Sequence, residues 1–188
     1  VIANKNHPRQ TVIAGETQSV DEAILRFKSQ KFQTTLLQVS HAFHTDIVAP
    51  AAKPLHRILS DIELSVPSIP FSSNVTAGWM PQDRESVIEV LTKQVTHPVR
   101  WTEQIEFLYQ NGARVFLECG PSATLCGLIS RILRGREHRV IYTNRRNHDE
   151  QFALNCAIAS LWTLGKCDHL TPGLSAPSNQ LPSSAVQE

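Results

Sequence analysis

Phe32-Gln33-Thr34-Thr35-Leu36-Leu37-Gln38-Val39-Ser40-His41-Ala42-Phe43-His44-Thr45 is the stretch on which the fold turns. Residues 32–39, rich in Thr, Leu and Val, read as a β-strand. The two histidines that follow, His41 and His44, then fall just beyond a strand end, where α/β folds gather their active sites. Three readings of the pair are open. They are metal ligands, they are ordinary structural histidines, or one of them is a general base. No further His, Cys or acid stands at a recognisable ligand spacing, so no metal is expected. Spacing alone does not choose between the other two.

Working outward, residues 11–15 (Thr-Val-Ile-Ala-Gly) predict a short strand ended by glycine. Ser19 ahead of Asp21 and Glu22 predicts a helix start, with Ala23, Ile24 and Phe27 at helical spacing. Strand, helix, strand across residues 11–39 is half of a small α+β unit. After the histidines, Ile47, Val48, Ala51, Leu55, Ile58 and Leu59 mark one helix face. Pro50 and Pro54 predict a kink or an irregular first turn there. Further helices are expected over 85–95, 101–109, 125–133 and 152–164, and strands over 70–75, 114–118 and 139–143. This alternation predicts an α/β domain with some parallel pairing. From Thr171 onward the chain is rich in Pro, Ser, Gln and Gly, and is expected to be a disordered linker.

Bulk properties exclude several function classes. The 188 residues carry a net charge of +1, with no basic block to suggest nucleic acid. With 41% hydrophobic residues the chain can bury a core, yet no apolar run approaches the roughly 20 residues that span a membrane. The start at Val1 has no charged segment followed by an apolar one, so it is not a signal peptide and reads as cut from a longer chain. Cys119, Cys126, Cys156 and Cys167 form no close pair, and buried reduced thiols are expected, which suits a cytoplasmic setting.

The segment from Val39 to Thr45 closely resembles the His-Ala-Phe-His motif of acyltransferase domains from modular polyketide synthases. It is also similar to bacterial malonyl-CoA:acyl-carrier-protein transacylases. Four more blocks match in the family's order: Asn6-His7-Pro8 through Gly15; Phe71-Ser72-Ser73-Asn74-Val75-Thr76; Gln94-Val95-Thr96-His97-Pro98-Val99-Arg100-Trp101; and Glu118-Cys119-Gly120-Pro121 before Leu125. Leu161-Trp162-Thr163-Leu164-Gly165 resembles the end of the linker that follows such domains.

The resemblance implies an α/β-hydrolase-like large subdomain with an inserted ferredoxin-like small subdomain. Residues 1–39 would be the later part of the small one and 40–135 the C-terminal part of the large one. Residues 136–166 would be the following linker and 167–188 a disordered tail. It implies malonyl transfer from coenzyme A to the phosphopantetheine arm of an acyl carrier protein through an acyl-serine, with no bound cofactor. Neighbouring ketosynthase and other synthase domains are the further partners implied.

By the family pattern His44 is the base, a role that suits imidazole with its unperturbed pKa of about 6.5. The main-chain carbonyl of Gln94 orients it in place of an acid. Phe43 goes with malonyl rather than methylmalonyl selection, and His41 and Asn6 are expected to help bind substrate. Asn74 matches a loop position with a structural role. No Gly-x-Ser-x-Gly elbow occurs in the chain, nor the arginine that follows it in the family and pairs with the malonyl carboxylate. Both are expected N-terminal to Val1. Thr45-Asp46 replaces the family's usual Ser-Pro and suggests a less typical synthase branch. A non-catalytic docking remnant and an acyl-thioester hydrolase on the same fold are the alternatives.

Overall fold

A computed structural model describes residues 1–39, 41–65 and 67–166. The tail expected over 167–188, with Cys167, lies outside the described residues. The described chain divides into two compact units, Val1–Phe116 with Thr124–Val140, and Leu117–Ala123 with the chain from Ile141 onward.

The first unit opens with an antiparallel hairpin of β1 (Ile2–His7) and β2 (Gln10–Ile13). Only the second strand was legible, because Ile-Ala-Asn-Lys-Asn-His lacks the β-branched alternation that marks a strand. What makes β1 a strand is pairing on a second edge. Lys5 N–H donates to Val99 O (2.8 Å) and Val99 N–H to Ala3 O (2.7 Å), a parallel bridge. Helix α1 (Thr17–Ser29) starts two residues before the expected cap. Glu16 is its N-cap, extended at φ −61° and ψ 145°, and Ser19 lies inside the first turn.

The strand expected over 32–39 does not form. Lys31 turns left-handed (φ 63°), Phe32 N–H donates back to Phe27 O (3.0 Å), and the two phenyl rings meet edge to face at 5.8 Å. Beyond that turn Leu36, Leu37 and Val39 are exposed, with no strand beside them among the described residues. β-propensity makes a strand only where a neighbour takes up the backbone groups.

The prolines have the expected effect. Residues Asp46–Ala51 form a 3-10 helix with Pro50 inside it, before helix α2 (Ala52–Asp61). α2 packs against α3 (Arg84–Lys93), and Arg84 seals the end of α2 by donating to Ser60 O (2.7 Å) and Ile62 O (3.0 Å). Between them, β3 (Ser72–Ser73) and β4 (Gly78–Trp79) form a short hairpin. β4 is too short for any periodicity to reveal it.

The core of this unit lies between α4 (Trp101–Gln110) and α5 (Thr124–Ile132). Ile105, Ile129, Ile132 and Leu133 are buried, with Trp101, Leu108, Tyr109, Phe116 and Val140 around them. Gly112 takes φ 94° after α4, a conformation that glycine adopts without strain. Glu106 accepts two hydrogen bonds from Arg136 (2.7 and 2.6 Å), whose guanidinium lies over the Tyr109 ring.

Strands β5 (Val115–Glu118) and β6 (Arg139–Tyr142) form a two-stranded sheet. Arg139 N–H donates to Arg114 O and Thr143 N–H to Glu118 O, the same offset at each end, so the pair is parallel as expected. In the second unit helix α6 (Glu150–Thr163) is capped by Asp149, which accepts from Phe152 N–H (2.7 Å), and buries Ala153 and Ala157. The expectation of buried thiols needs correcting. Cys126 is buried within α5, whereas Cys119, at the exit of β5, and Cys156, on an outward face of α6, are exposed; none of the three is in a disulfide. No helix among the described residues is long and apolar enough to cross a membrane.

The Arg136 hydrogen bonds hold the Glu106 carboxyl below the usual range, against the opposing pull of burial. A carboxyl with a depressed folded pKa contributes stability above its unfolded pKa of about 4.3 and loses it as pH falls through the lower folded value. Glu106→Gln is therefore expected to flatten part of the loss of stability below about pH 4.3. Urea midpoints from pH 6 down to pH 2.5 measure this.

Candidate active site

Helix α3 ends at Lys93, with Gln94 as its C-cap. The last carbonyls of a helix have no intrahelical donor and need partners from elsewhere. Lys93 O is served locally, by the N–H groups of Thr96 (3.1 Å) and His97 (3.0 Å). Gln94 O, Val95 O and His97 O are all served by one residue. His44 donates its backbone N–H to Val95 O (3.1 Å), and its Nδ1 lies 3.1 Å from Gln94 O and 3.0 Å from His97 O.

Carbonyl oxygens only accept, so Nδ1 carries the proton in this geometry. In the neutral ring Nε2 is then left with a free lone pair. The half-buried imidazole is thus set in ring orientation and tautomer by two main-chain oxygens. The Gln94 carbonyl stands where the sequence resemblance put it. The His97 carbonyl was missed, since a main-chain acceptor leaves no side-chain signature. The usable signal was Pro98, which disfavours helix at His97 and so helps end the turn there.

His44 adopts φ 63°, the left-handed region that few residues other than glycine enter. Its neighbour fixes the turn. Thr45 is buried, donates its hydroxyl to Ala42 O (2.7 Å) and accepts from Ile47 N–H (3.2 Å), capping the 3-10 helix. The Thr45 hydroxyl is thus the N-cap of the 3-10 helix.

The other expected site residues are placed less tightly. Phe43 is exposed, and its ring centroid stands 6.0 Å from that of His41, tilted by 54°. Asn6 is half-buried on β1, the strand that runs beside Val99. Next to it, burial first and then Arg131 and Arg9 hold the His7 imidazole below the usual histidine range. Asn74 makes two structural bonds, donating to Pro98 O (3.2 Å) and accepting from Arg100 N–H (2.8 Å). The Arg100 guanidinium is engaged with Val75 O, Thr76 O and Glu103, which argues against it as a carboxylate anchor. Among the described residues no group of three or more His, Cys, Asp or Glu is placed to hold a metal ion.

A family described as the acyl transferase domain matches residues 1–165. The chain is 38% identical, over 70% of its length, to a polyketide-biosynthesis malonyl CoA-acyl carrier protein transacylase of Bacillus velezensis, covering 45% of that protein. It resembles the acyltransferase domain from the second module of the salinomycin polyketide synthase, with TM-score 0.79 and 27% identity over 94% of this chain and 43% of that one. It is also similar to a malonyl-transacylase solved with its type II acyl-carrier protein, with TM-score 0.76 and 33% identity over 85% of this chain and 49% of that one. The α/β arrangement is thus that of acyltransferase domains. The chain spans a little under half the length of the malonyl CoA-acyl carrier protein transacylases it matches, and far less of the larger synthase proteins.

Thr45→Val keeps the shape of the side chain but removes both hydroxyl bonds. It is expected to cost about 1–2 kcal/mol of stability, read as a lower denaturant midpoint. An unchanged midpoint would mean that the hydroxyl does not fix this turn.

Proposed function

Because the chain belongs to the acyl transferase domain family, we propose that it is the histidine-bearing part of an acyltransferase. The enzyme would move a malonyl group from coenzyme A to the phosphopantetheine thiol of an acyl carrier protein. The observation that carries this reading is the imidazole of His44, held at Nδ1 by two carbonyls with Nε2 left as a proton acceptor. The relatives' names, malonyl CoA-acyl carrier protein transacylases, supply the substrate class.

In the first half-reaction Nε2 takes the proton of a serine hydroxyl as its oxygen attacks the malonyl thioester carbonyl. The C–S bond breaks and coenzyme A leaves as the thiol, protonated by the imidazolium. In the second, Nε2 takes the proton of the carrier's phosphopantetheine thiol as its sulfur attacks the acyl-serine carbonyl; the acyl C–O bond breaks and the imidazolium returns the proton to the serine oxygen. The positive charge that appears on the ring in each step faces the carbonyl end of α3, the electrostatically favourable side. The serine and the partner of the malonyl carboxylate lie outside these 188 residues in this reading. The description as part of a hydrolase-like large subdomain (40–135) with part of a ferredoxin-like small one (1–39) belongs to the same proposal. So does the assignment of His41 and Asn6 to substrate binding, and of ketosynthase and other synthase domains as neighbours.

In a polypeptide that carries these residues and the serine elbow, His44→Ala is expected to lower kcat/KM for malonyl transfer by roughly 100- to 10,000-fold. Gln94→Ala should stay within about threefold of wild type, because its contribution comes from the backbone, which the substitution keeps. A His44→Ala protein with undiminished transfer would leave a non-catalytic docking role, and faster release of free malonate than of malonyl-carrier would favour a hydrolase.

Phe43 stands next to the base, where its ring would fill the space that an α-methyl branch needs. One methyl group is worth about 1–3 kcal/mol of discrimination. Phe43→Ala is expected to narrow the malonyl over methylmalonyl preference by roughly 10-fold or more, measured as a ratio of kcat/KM values. An unchanged ratio would assign the ring to packing.

A further inference from the structure

The two carbonyls that hold His44 are only as well placed as the segment that bears them. Residues 94–97 leave the end of α3 as a turn, and residues 98–100 continue without helix or long strand. Two things hold this segment. On one side β1 pairs with Val99 through two backbone hydrogen bonds of 2.7 and 2.8 Å. The other side is a reciprocal clasp of side chains on backbone.

Asn74 donates Nδ2–H to Pro98 O (3.2 Å) and accepts Arg100 N–H at Oδ1 (2.8 Å), so one side-chain amide replaces a missing ladder partner at two positions. Arg100 returns the contact, its Nη1 donating to Val75 O (3.3 Å) and Thr76 O (3.1 Å). The loop is itself tied at its root. The buried Ser73 accepts from Val75 N–H (3.1 Å), and Gln104 donates to Ser72 O (2.9 Å). The carbonyl fixed by Asn74, that of Pro98, belongs to the residue directly after His97, whose own carbonyl receives His44 Nδ1–H at 3.0 Å. The His97 and Pro98 carbonyls lie on adjacent peptide planes joined at Pro98 Cα, and the pyrrolidine ring fixes φ of Pro98, so only its ψ separates the anchored carbonyl from the one that holds the imidazole.

We propose that Asn74 is a positioning residue for the acyl-transfer reaction, setting the His44 imidazole through Pro98 and the His97 carbonyl. This rests on the reading of His44 as the base. Asparagine suits the task where aspartate does not. The site needs one donor and one acceptor on a single rigid plane, and a carboxylate offers acceptors only.

The test uses a polypeptide that carries these residues and the serine elbow, with the active fraction counted from the malonyl-enzyme burst. Asn74→Ala is expected to lower kcat per active site roughly 10- to 100-fold, the scale of a misplacement of about 1 Å, with KM changed less than about twofold. Asn74→Asp guards against a folding failure. It is isosteric and keeps the acceptor for Arg100 N–H, but faces Pro98 O with another acceptor, so it should lose roughly 10-fold in kcat. His44→Ala is measured beside them. Both Asn74 variants at wild-type kcat per active site, beside a dead His44→Ala, would overturn the positioning role and leave the base assignment standing. A loss of burst amplitude alone, or a rise in KM alone, would likewise overturn it in favour of a folding or binding role. Transfer that persists in His44→Ala would overturn the base assignment and the positioning role together.

Discussion

The turn that leaves helix α3 carries three carbonyl oxygens that the helix itself cannot satisfy, and His44 satisfies them. The backbone N–H takes Val95 O and Nδ1–H takes Gln94 O and His97 O. A structural need and a chemical one are met by the same contacts. The end of α3 gains donors, and the imidazole gains a fixed tautomer without a buried carboxylate. An acid in that position would carry a desolvation penalty that carbonyls avoid. The left-handed backbone of His44 costs on the order of 1–3 kcal/mol, and these hydrogen bonds offset it.

The supports of this contact come from distant parts of the chain. β1, near the N-terminus, lies along Val99, the loop after β3 clasps 98–100, and Thr45 locks the turn that presents His44. Asn74 and Thr45 are small and polar, and both bond to main chain rather than to another side chain. Such sites hold backbone in an irregular path where neither helix nor sheet can do so. Helix α4, which contributes to the apolar core with α5, follows that segment directly: Trp101 is the next residue after Arg100, and Ile105 lies one turn further on. Packing of the core therefore bears on where the segment sits.

The sequence was most informative where periodicity is long. Helices α3 to α6 lie within a few residues of their expected spans, because Val87–Ile88, Ile105–Leu108 and Leu128–Ile132 repeat at helical spacing over a buried face. It misled where pairing decides. Residues 32–39 have strand composition without a strand partner, and β1 has a partner without strand composition. By resemblance the sequence pointed to His44 and Gln94, and the structure brings Nδ1 of the one to the main-chain carbonyl of the other. Periodicity and spacing alone left His41 and His44 equal. The His97 carbonyl was hidden for a plain reason: every residue has a carbonyl, and only the folded path shows which ones converge. Asn74 could be matched to a family position, but its two backbone bonds depend on a loop that no pattern in the sequence describes.

The most direct test of the central contact is the tautomer of His44 in the resting protein. Histidine labelled with 15N, observed by long-range 1H–15N correlation at a pH where the ring is neutral, distinguishes a protonated ring nitrogen from a bare one. Assignment is made by loss of the signals in His44→Gln. The geometry predicts the proton on Nδ1 and a bare Nε2. A proton on Nε2, or rapid averaging between the two nitrogens, would contradict the claim that the carbonyls after α3 set the tautomer of His44.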